Sequence, residues 1–170
     1  LWRVFQYGAT IGEDPTARAL IVAATGADDN STAFYETNAT FSLNDSAICV
    51  YAQVSMPGNG ASFIDVAYQA AYMAAGVYQG KLFLGNIADF TLGDDYDAQV
   101  HAWWRLRHQN GSLFFDTAAA DGIWIERVVH PYPEAGLPID ALYVDVGVSR
   151  QGESAPMEAE FRWLSIAHVN

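Results

Sequence analysis

The residues best placed to do chemistry lie on either side of an Asn-Gly pair at positions 110 and 111. Such a pair between two alternating runs predicts a β-hairpin with a type I′ turn, because both central residues of that turn have positive φ. The register then sets Arg105 opposite Asp116 and Arg107 opposite Phe114. One face of this hairpin carries Trp103, Arg105, Arg107, Phe114 and Asp116. That face is either a solvated sheet surface held by cross-strand pairs or a ligand-binding platform.

The opposite face of the same hairpin is predicted to be core. Alternate residues of a strand point to opposite sides of its sheet, which puts Trp104, Leu106 and Phe115 together on that face. A second tight turn is predicted at Asp121-Gly122, leading into residues 123–127.

Two acidic segments make calcium the metal ion to consider. Asp94, Asp95 and Asp97 cluster in one turn-like segment, and residues 26–30 form the other. Carboxylate oxygens are the ligands that Ca²⁺ prefers, although neither segment matches an EF-hand loop and acidic loops are usually solvated. Calcium at Asp94, Asp95 and Asp97 is therefore the one candidate metal site, and no other cofactor is expected.

Composition restricts the possible classes of protein. Of the 170 residues, 51% are apolar and only 16% are charged, which excludes a disordered chain or a coiled coil. The net charge of −12 disfavours nucleic-acid binding, since it repels phosphate groups. Cys49 has no second cysteine with which to form an internal disulfide. No apolar run reaches the length of about 18 residues that a membrane span needs, so membrane insertion is not expected.

The elements that must position these residues are strands. Apolar residues alternate with a period of two along most of the chain, and Gly, Asn, Asp and Ser clusters separate the runs. The runs are residues 20–23, 33–36, 39–43, 48–54, 63–73, 77–86, 100–107, 113–117, 123–129, 141–149 and 159–167. Ten or more short strands at this spacing predict an all-β, antiparallel two-sheet sandwich, formed by residues 1–170 as one domain that could be a fragment of a longer chain.

Two segments allow another interpretation. Residues 66–75 are rich in alanine and could be helical, but the alternation from Ile64 to Tyr72 and a turn at Gly76 favour a strand hairpin. Residues 130–138 contain three of the six prolines and are predicted to form a rigid surface connection.

The segments His101–Arg107, Gly111–Thr117 and Asp121–Trp124 together resemble a recurring pattern. A W-R-[IL]-R strand, a Gly-led aromatic strand ending in an acidic-Thr/Ser pair, then D-G and a Trp, is found in concanavalin A-like lectin/glucanase jelly rolls. This version is common in long phage minor tail proteins and in some secreted bacterial proteins. The resemblance implies two curved antiparallel sheets with ligands on one face or at its edge loops.

In such a family the hairpin face would bind carbohydrate, because indole rings stack on sugars and Arg/Asp pairs hydrogen-bond hydroxyl groups. The candidate ligand-binding residues are His101, Trp103, Arg105, Arg107, Phe114 and Asp116. A glucanase of this fold would need paired carboxylates in a run such as E-x-D-x-x-E, and no such run occurs. Motifs for a serine hydrolase, a zinc site or a nucleotide-binding loop do not occur either. The chain is therefore not expected to be an enzyme.

The leading hypothesis is a non-catalytic adhesion module on a virion surface, in a phage tail or fibre, that binds host-surface glycan. Multiple copies, as a homo-oligomer or in a larger assembly, would offset a weak single-site affinity. One alternative is a decoration or assembly domain that binds a neighbouring virion subunit. The other is a secreted carbohydrate-binding module or glycan-processing enzyme, and the expected location is thus virion-surface or extracellular.

Overall fold

A computed structural model of the chain describes residues 2–16, 18–24, 30–44, 46–55, 60–86, 88–119, 122–133, 136–151 and 157–168. The described residues form fourteen β-strands. In chain order they are β1 (Trp2–Tyr7), β2 (Thr10–Asp14), β3 (Ala19–Ala24), β4 (Asn30–Thr37), β5 (Ser46–Ser55), β6 (Gly60–Tyr68), β7 (Ala71–Tyr78), β8 (Lys81–Gly85), β9 (Phe90–Asp95), β10 (Trp103–Gln109), β11 (Ser112–Ala118), β12 (Ile125–Pro131), β13 (Tyr143–Gln151) and β14 (Met157–His168).

The strands form two antiparallel sheets of seven strands each. Sheet A has the order β1-β4-β13-β6-β7-β8-β9, and sheet B has the order β12-β11-β10-β5-β14-β3-β2. This arrangement is a jelly-roll sandwich, which confirms the predicted all-β fold class. None of the described segments is a helix long and apolar enough to cross a membrane.

The core lies between the two sheets, because each strand directs its alternate apolar residues inwards. Sheet A contributes Ile64, Val66 and Val146, and sheet B contributes Val50 and Trp104, all with almost no exposed surface. The indole Nε1 of Trp104 donates a hydrogen bond to the carbonyl of His101 at 2.9 Å, so its polar atom is satisfied inside the core.

The hairpin of β10 and β11 has the predicted register. Arg105 pairs with Asp116 and Arg107 with Phe114. Asn110 and Gly111 adopt φ values of 51° and 73°, as a type I′ turn requires. The predicted turn at Asp121-Gly122 cannot be followed, since Asp121 lies outside the described residues.

The alanine-rich segment is a strand hairpin, as favoured, but its turn is not at Gly76. The chain reverses at Gln69-Ala70, where Gln69 takes a φ of 56°. Gly76 lies inside β7 opposite Phe63, and a Cβ atom there would lie 2.0 Å from the carbonyl oxygen of Ser62. The glycine therefore marks a close approach of two strands rather than a turn.

The proline-rich segment is more than a surface connection. Tyr132 and Leu137 are both buried and belong to the core cluster. The Tyr132 hydroxyl donates to the carbonyl of Leu137 at 2.7 Å, and burial raises the pKa of this tyrosine to about 12. Residues 134 and 135 lie outside the described part of the chain.

Candidate functional site

The predicted platform lies on the outer face of sheet B. Trp104, Leu106 and Phe115 are fully buried on the core side, so Trp103, Arg105, Arg107, Phe114 and Asp116 share the opposite side. The predicted inward and outward faces of this hairpin are therefore confirmed.

The charged groups of this face bind one another. Asp116, only 1% exposed, accepts hydrogen bonds from Nε of Arg105 and Nε of Arg107, each at 2.8 Å. Arg105 lies over the ring of Trp124 at 4.5 Å, and Arg107 lies over Phe114 at 4.1 Å. Because these contacts occupy the guanidinium groups, the geometry favours a sheet surface held by cross-strand pairs over an open polar platform.

His101 is not part of that face. It lies before β10, is buried beside the Tyr96 ring at 6.0 Å, and its Nδ1 accepts a hydrogen bond from the backbone N–H of Asp97 at 3.0 Å. Burial, with the positive charge of Arg127, lowers its pKa. The alternation that predicted its position holds only within the strand, which begins at Trp103.

Three aromatic rings pack against one another beside this hairpin. Trp103 stacks on Trp163 with ring centroids 5.8 Å apart, and both indoles meet Tyr51 edge-on. Trp163 is 58% exposed and has a φ of 50°, within the irregularity of β14 between Arg162 and Ser165. A bulge of this kind has no clear sequence signal, so sequence reasoning missed Trp163.

The acidic segment proposed for calcium is not assembled as a site. Asp94 forms a salt bridge with Arg127 at 3.2 Å, and Asp95 forms one with Lys81. Asp97 Oδ1 accepts from the backbone N–H of Gln99 at 2.8 Å. Among the described residues, no three His, Cys, Asp or Glu side chains gather where they could hold a metal ion. In the other acidic segment, residues 26–29 lie outside the described residues.

A groove of about 560 Å³ lies on the outer face of sheet A. Sequence reasoning did not predict it. Its lining combines aromatic rings, small residues and carboxyl groups contributed by β4, β6, β7, β8, β9 and β13. The aromatic residues are Phe34, Phe63, Tyr72, Tyr78, Phe83 and Phe90, and the acidic residues are Glu36, Asp65 and Asp145.

The three carboxyl groups form one row across the sheet, here called the carboxyl row. Asp145 of β13 is the register partner of Glu36 of β4 on one side and of Asp65 of β6 on the other. The same line continues into Ala74 and Gly85. Because these last two residues are small, the groove stays open beside the carboxyl groups.

The neighbouring line of residues explains the depth of the groove. It runs through Phe34, Gly147, Phe63, Gly76 and Phe83. A Cβ atom on Gly147 would lie 2.3 Å from the carbonyl oxygen of Ala33. Glycines between phenylalanines leave the rings as walls with gaps between them.

Asp65 and Asp145 form a buried pair of carboxyl groups whose pKa values are both raised. Their exposed fractions are 8% and 5%. Burial, the charge of Asp145 and a hydrogen bond to it raise the pKa of Asp65 well above its usual range. Burial and Glu36 raise the pKa of Asp145 to about 7, against the opposing effect of the hydrogen bond from Asp65. Burial thus favours the protonated form of both carboxyl groups.

The pair receives no other support from the described residues. Oδ1 of Asp65 and Oδ1 of Asp145 are buried and accept no hydrogen bond from another described group. Arg3 approaches the third carboxyl group, that of Glu36, at 3.4 Å and lies over the Tyr143 ring at 5.3 Å. The pair therefore has no cationic partner within the described part of the chain, although both side chains line the groove.

One sequence signal could have indicated these residues. Asp65 and Asp145 each interrupt an apolar run, at Phe63–Val66 and Val144–Val146. Sequence reasoning looked instead for paired acids on one strand. The row uses three strands, and its order depends on β13 lying between β4 and β6, which no local pattern predicts.

Comparisons with known proteins show what the fold shares with others. No family model matches the sequence, and no curated protein matches it. Several solved structures do match over nearly the whole chain.

The first is a structure reported for endo-acting O-glycanases that prominent members of the human gut microbiota express to initiate mucin breakdown. It is 13% identical, covers 99% of this chain and 92% of its own, and has a TM-score of 0.68. The second is a pseudo β-1,3-glucanase of Mycobacterium tuberculosis, 12% identical, with 99% and 91% covered and a TM-score of 0.60. The third is an alginate lyase of polysaccharide lyase family 7, 11% identical, with 98% and 85% covered and a TM-score of 0.58.

At these identities the likeness establishes a shared fold. It agrees with the predicted jelly-roll fold, while the resemblance to phage tail proteins stays a prediction. Ligand and activity have to be argued from the groove itself.

Proposed function

We propose that this protein is a non-catalytic carbohydrate-binding module whose ligand lies in the groove of sheet A. The observation that carries this proposal is the groove itself, in which aromatic rings and a row of carboxyl groups share one open cavity on a sheet face. The site therefore differs from the outer face of sheet B that the sequence suggested.

The lining has the chemistry that a sugar chain requires. Aromatic rings such as Tyr72 and Phe90 offer flat apolar surfaces to the C–H faces of sugar rings. Carboxyl oxygens accept hydrogen bonds from sugar hydroxyl groups, and charged acceptors make these bonds stronger than neutral ones do. A cavity of about 560 Å³ is within the size range of ligand pockets.

The spacing of the buried pair supports a role in binding rather than catalysis. Glycosidases that retain configuration hold their two carboxyl groups about 5–5.5 Å apart, and inverting enzymes hold them about 6.5–9.5 Å apart. Asp65 and Asp145 are in hydrogen-bond contact, so neither separation describes this pair.

A glycan array probed with wild-type protein and matched variants tests the proposal. Phe90→Ala removes a 40% exposed groove ring, and Ala61→Trp places an indole in the cavity. Both variants should lose at least tenfold in affinity for any glycan that the wild type binds. Trp103→Ala and Arg105→Ala, on the opposite sheet, serve as controls and should bind normally. Loss of binding in the controls alone would move the site to sheet B and refute the proposal.

The position of the module on a virion surface is the finer part of the proposal. It is supported by the resemblance of residues 101–124 to phage tail proteins, and multiple copies would make a weak site effective through avidity. Antibody against the module should label the tail or fibres of particles that carry the full-length protein. Unlabelled particles would contradict this placement without affecting glycan binding.

A glycoside hydrolase is the second candidate, and one observation favours it. Glu36 and Asp65 lie on strands separated only by β13, so their backbones are roughly 9–10 Å apart, near the upper end of the inverting range. Protonated Asp65 would then be the general acid and Glu36 the base. Incubation of wild type and Asp65→Asn with each bound glycan tests this, since reducing ends released by wild type alone would establish hydrolysis.

A further inference from the structure

We propose that the carboxyl row binds an ammonium group, so that the groove selects sugars with a free amine over N-acetylated, neutral or acidic sugars. This inference rests on the proposed function, because it names the class of glycan that the groove takes.

The first argument is the geometry of the row. Glu36, Asp145 and Asp65 are successive register partners on three adjacent strands, and directly opposite residues of antiparallel strands have Cβ atoms about 4.5–5.5 Å apart. An ammonium group carries three N–H donors and a compact charge. One such group above Asp145 can reach carboxyl oxygens on both sides.

The second argument is that the buried aspartates have no cationic partner among the described residues. Asp65 and Asp145 are both more than nine-tenths buried, and both line the groove. No salt bridge within the described residues involves either aspartate, while Arg3 is engaged at the far side of Glu36. A ligand that brings its own N–H donors and positive charge supplies what the protein does not.

The third argument is the aromatic wall. Phe34 and Phe63 lie two residues before Glu36 and Asp65 on the same faces of their strands, and Tyr72 lines the cavity from β7. Aromatic faces attract cations, most strongly where water is excluded. The rings can therefore hold the sugar while adding to the attraction for its amine.

The same features disfavour other sugars. A uronate or sialylated glycan would bring a carboxylate towards the charge of Glu36 and of the Asp65–Asp145 pair, and like charges repel most where burial lowers screening. N-acetylation removes the positive charge. A neutral sugar can still donate hydroxyl groups but gains no ion pairing.

Isothermal titration with four tetrasaccharides of matched length tests the proposal, using glucosamine, N-acetylglucosamine, glucose and a uronic acid as the repeating sugar. The glucosamine compound should bind at least tenfold more tightly than the N-acetylated one, and the uronate should bind most weakly. Equal or tighter binding of the N-acetylated or neutral compound would overturn the amine preference and leave glycan binding intact. Failure of all four would count against the proposed function itself.

Two double variants test whether the preference for glucosamine depends on the carboxyl row. In Asp65→Asn/Asp145→Asn the two side chains keep their shape but cannot be charged, so the preference for glucosamine should fall below threefold. Asp94→Asn/Asp95→Asn removes the same number of carboxylates outside the groove, where both are exposed, and should keep it. If this control loses the preference equally, attraction to the net negative chain explains the result and the site is refuted. Circular dichroism melts of both variants would show that each is folded.

Discussion

At the scale of single residues, the buried Asp65–Asp145 pair links stability to pH. A carboxyl group whose pKa is raised by folding binds its proton more tightly in the folded state than in the unfolded one. Its stabilising effect is complete below the unfolded value of 3.8 and is lost as pH rises through the folded value, which is about 7 for Asp145. The free energy of unfolding should therefore decrease between about pH 4 and pH 8.

Asp65→Asn should flatten this dependence. Asparagine imitates the protonated acid and can still donate to Asp145, so it removes the cost of holding a proton at high pH. Since one pH unit of pKa difference corresponds to about 1.4 kcal/mol, we expect a gain of at least about 1 kcal/mol at pH 8 and little change at pH 4. Urea unfolding at both pH values measures it, with Asp94→Asn as a control. An unchanged pH slope would show that the proton is not held at this pair.

Asp116 should matter for stability rather than for ligand binding. It is almost fully buried between Arg105 and Arg107, so Asp116→Ala would remove the carboxylate that both guanidinium groups share. We expect a loss of roughly 2–3 kcal/mol, less than the about 3–5 kcal/mol for a fully buried pair, because both arginines keep some contact with water.

Glu126→Ala is the matched control for that substitution. Glu126 pairs with Arg107 at 3.2 Å but is half exposed, and exposed pairs contribute about 0–1 kcal/mol. Chemical denaturation that gave equal losses for both variants would contradict the buried network. Glycan affinity should be unchanged in both.

At the scale of elements, the turn at Asn110-Gly111 fixes the β10–β11 hairpin. Gly111 has a φ of 73°, so Gly111→Ala should cost more than about 1 kcal/mol because the new side chain is strained there. Gly12→Ala in β2 is the comparison, since a Cβ at that position meets nothing within 4 Å, and its change should stay within about 0.5 kcal/mol. Thermal unfolding of the two variants distinguishes strain at the turn from a general effect of alanine.

The same hairpin shows how far sequence reasoning reaches. Turn type, register and the inward direction of Trp104 all follow from contacts between neighbours in the sequence, so they could be predicted. The ion pairs around Asp116 were also visible in the register. Whether that face was free to bind a ligand depended on its burial, which the alternation does not determine.

At the scale of the whole molecule, the groove depends on connections that local patterns do not contain. Phe34, Asp65 and Asp145 come from β4, β6 and β13. Three strands of the other sheet, β10, β11 and β12, come directly before β13 in the sequence. Periodicity predicted strands at each of these positions. It could not predict which strands would be neighbours, and therefore could not predict the carboxyl row.

The two outer faces should respond differently to ligand. Backbone amide shifts in an NMR titration with the best-binding tetrasaccharide should change in β4, β6, β7 and β13, and should stay constant in β10, β11 and β12. At 18.5 kDa the chain suits this measurement. Changes confined to the second set of strands would place the ligand on the aromatic rings of Trp103 and Trp163 instead.

The carboxyl row joins residues 36, 65 and 145, which are far apart along the chain. While a nascent or partly unfolded molecule lacks β13 in its place, it carries only dispersed acids, each free to lose its proton to water. Tight binding of an amine would therefore require the completed sheet, and damaged or truncated copies would not compete for the glycan.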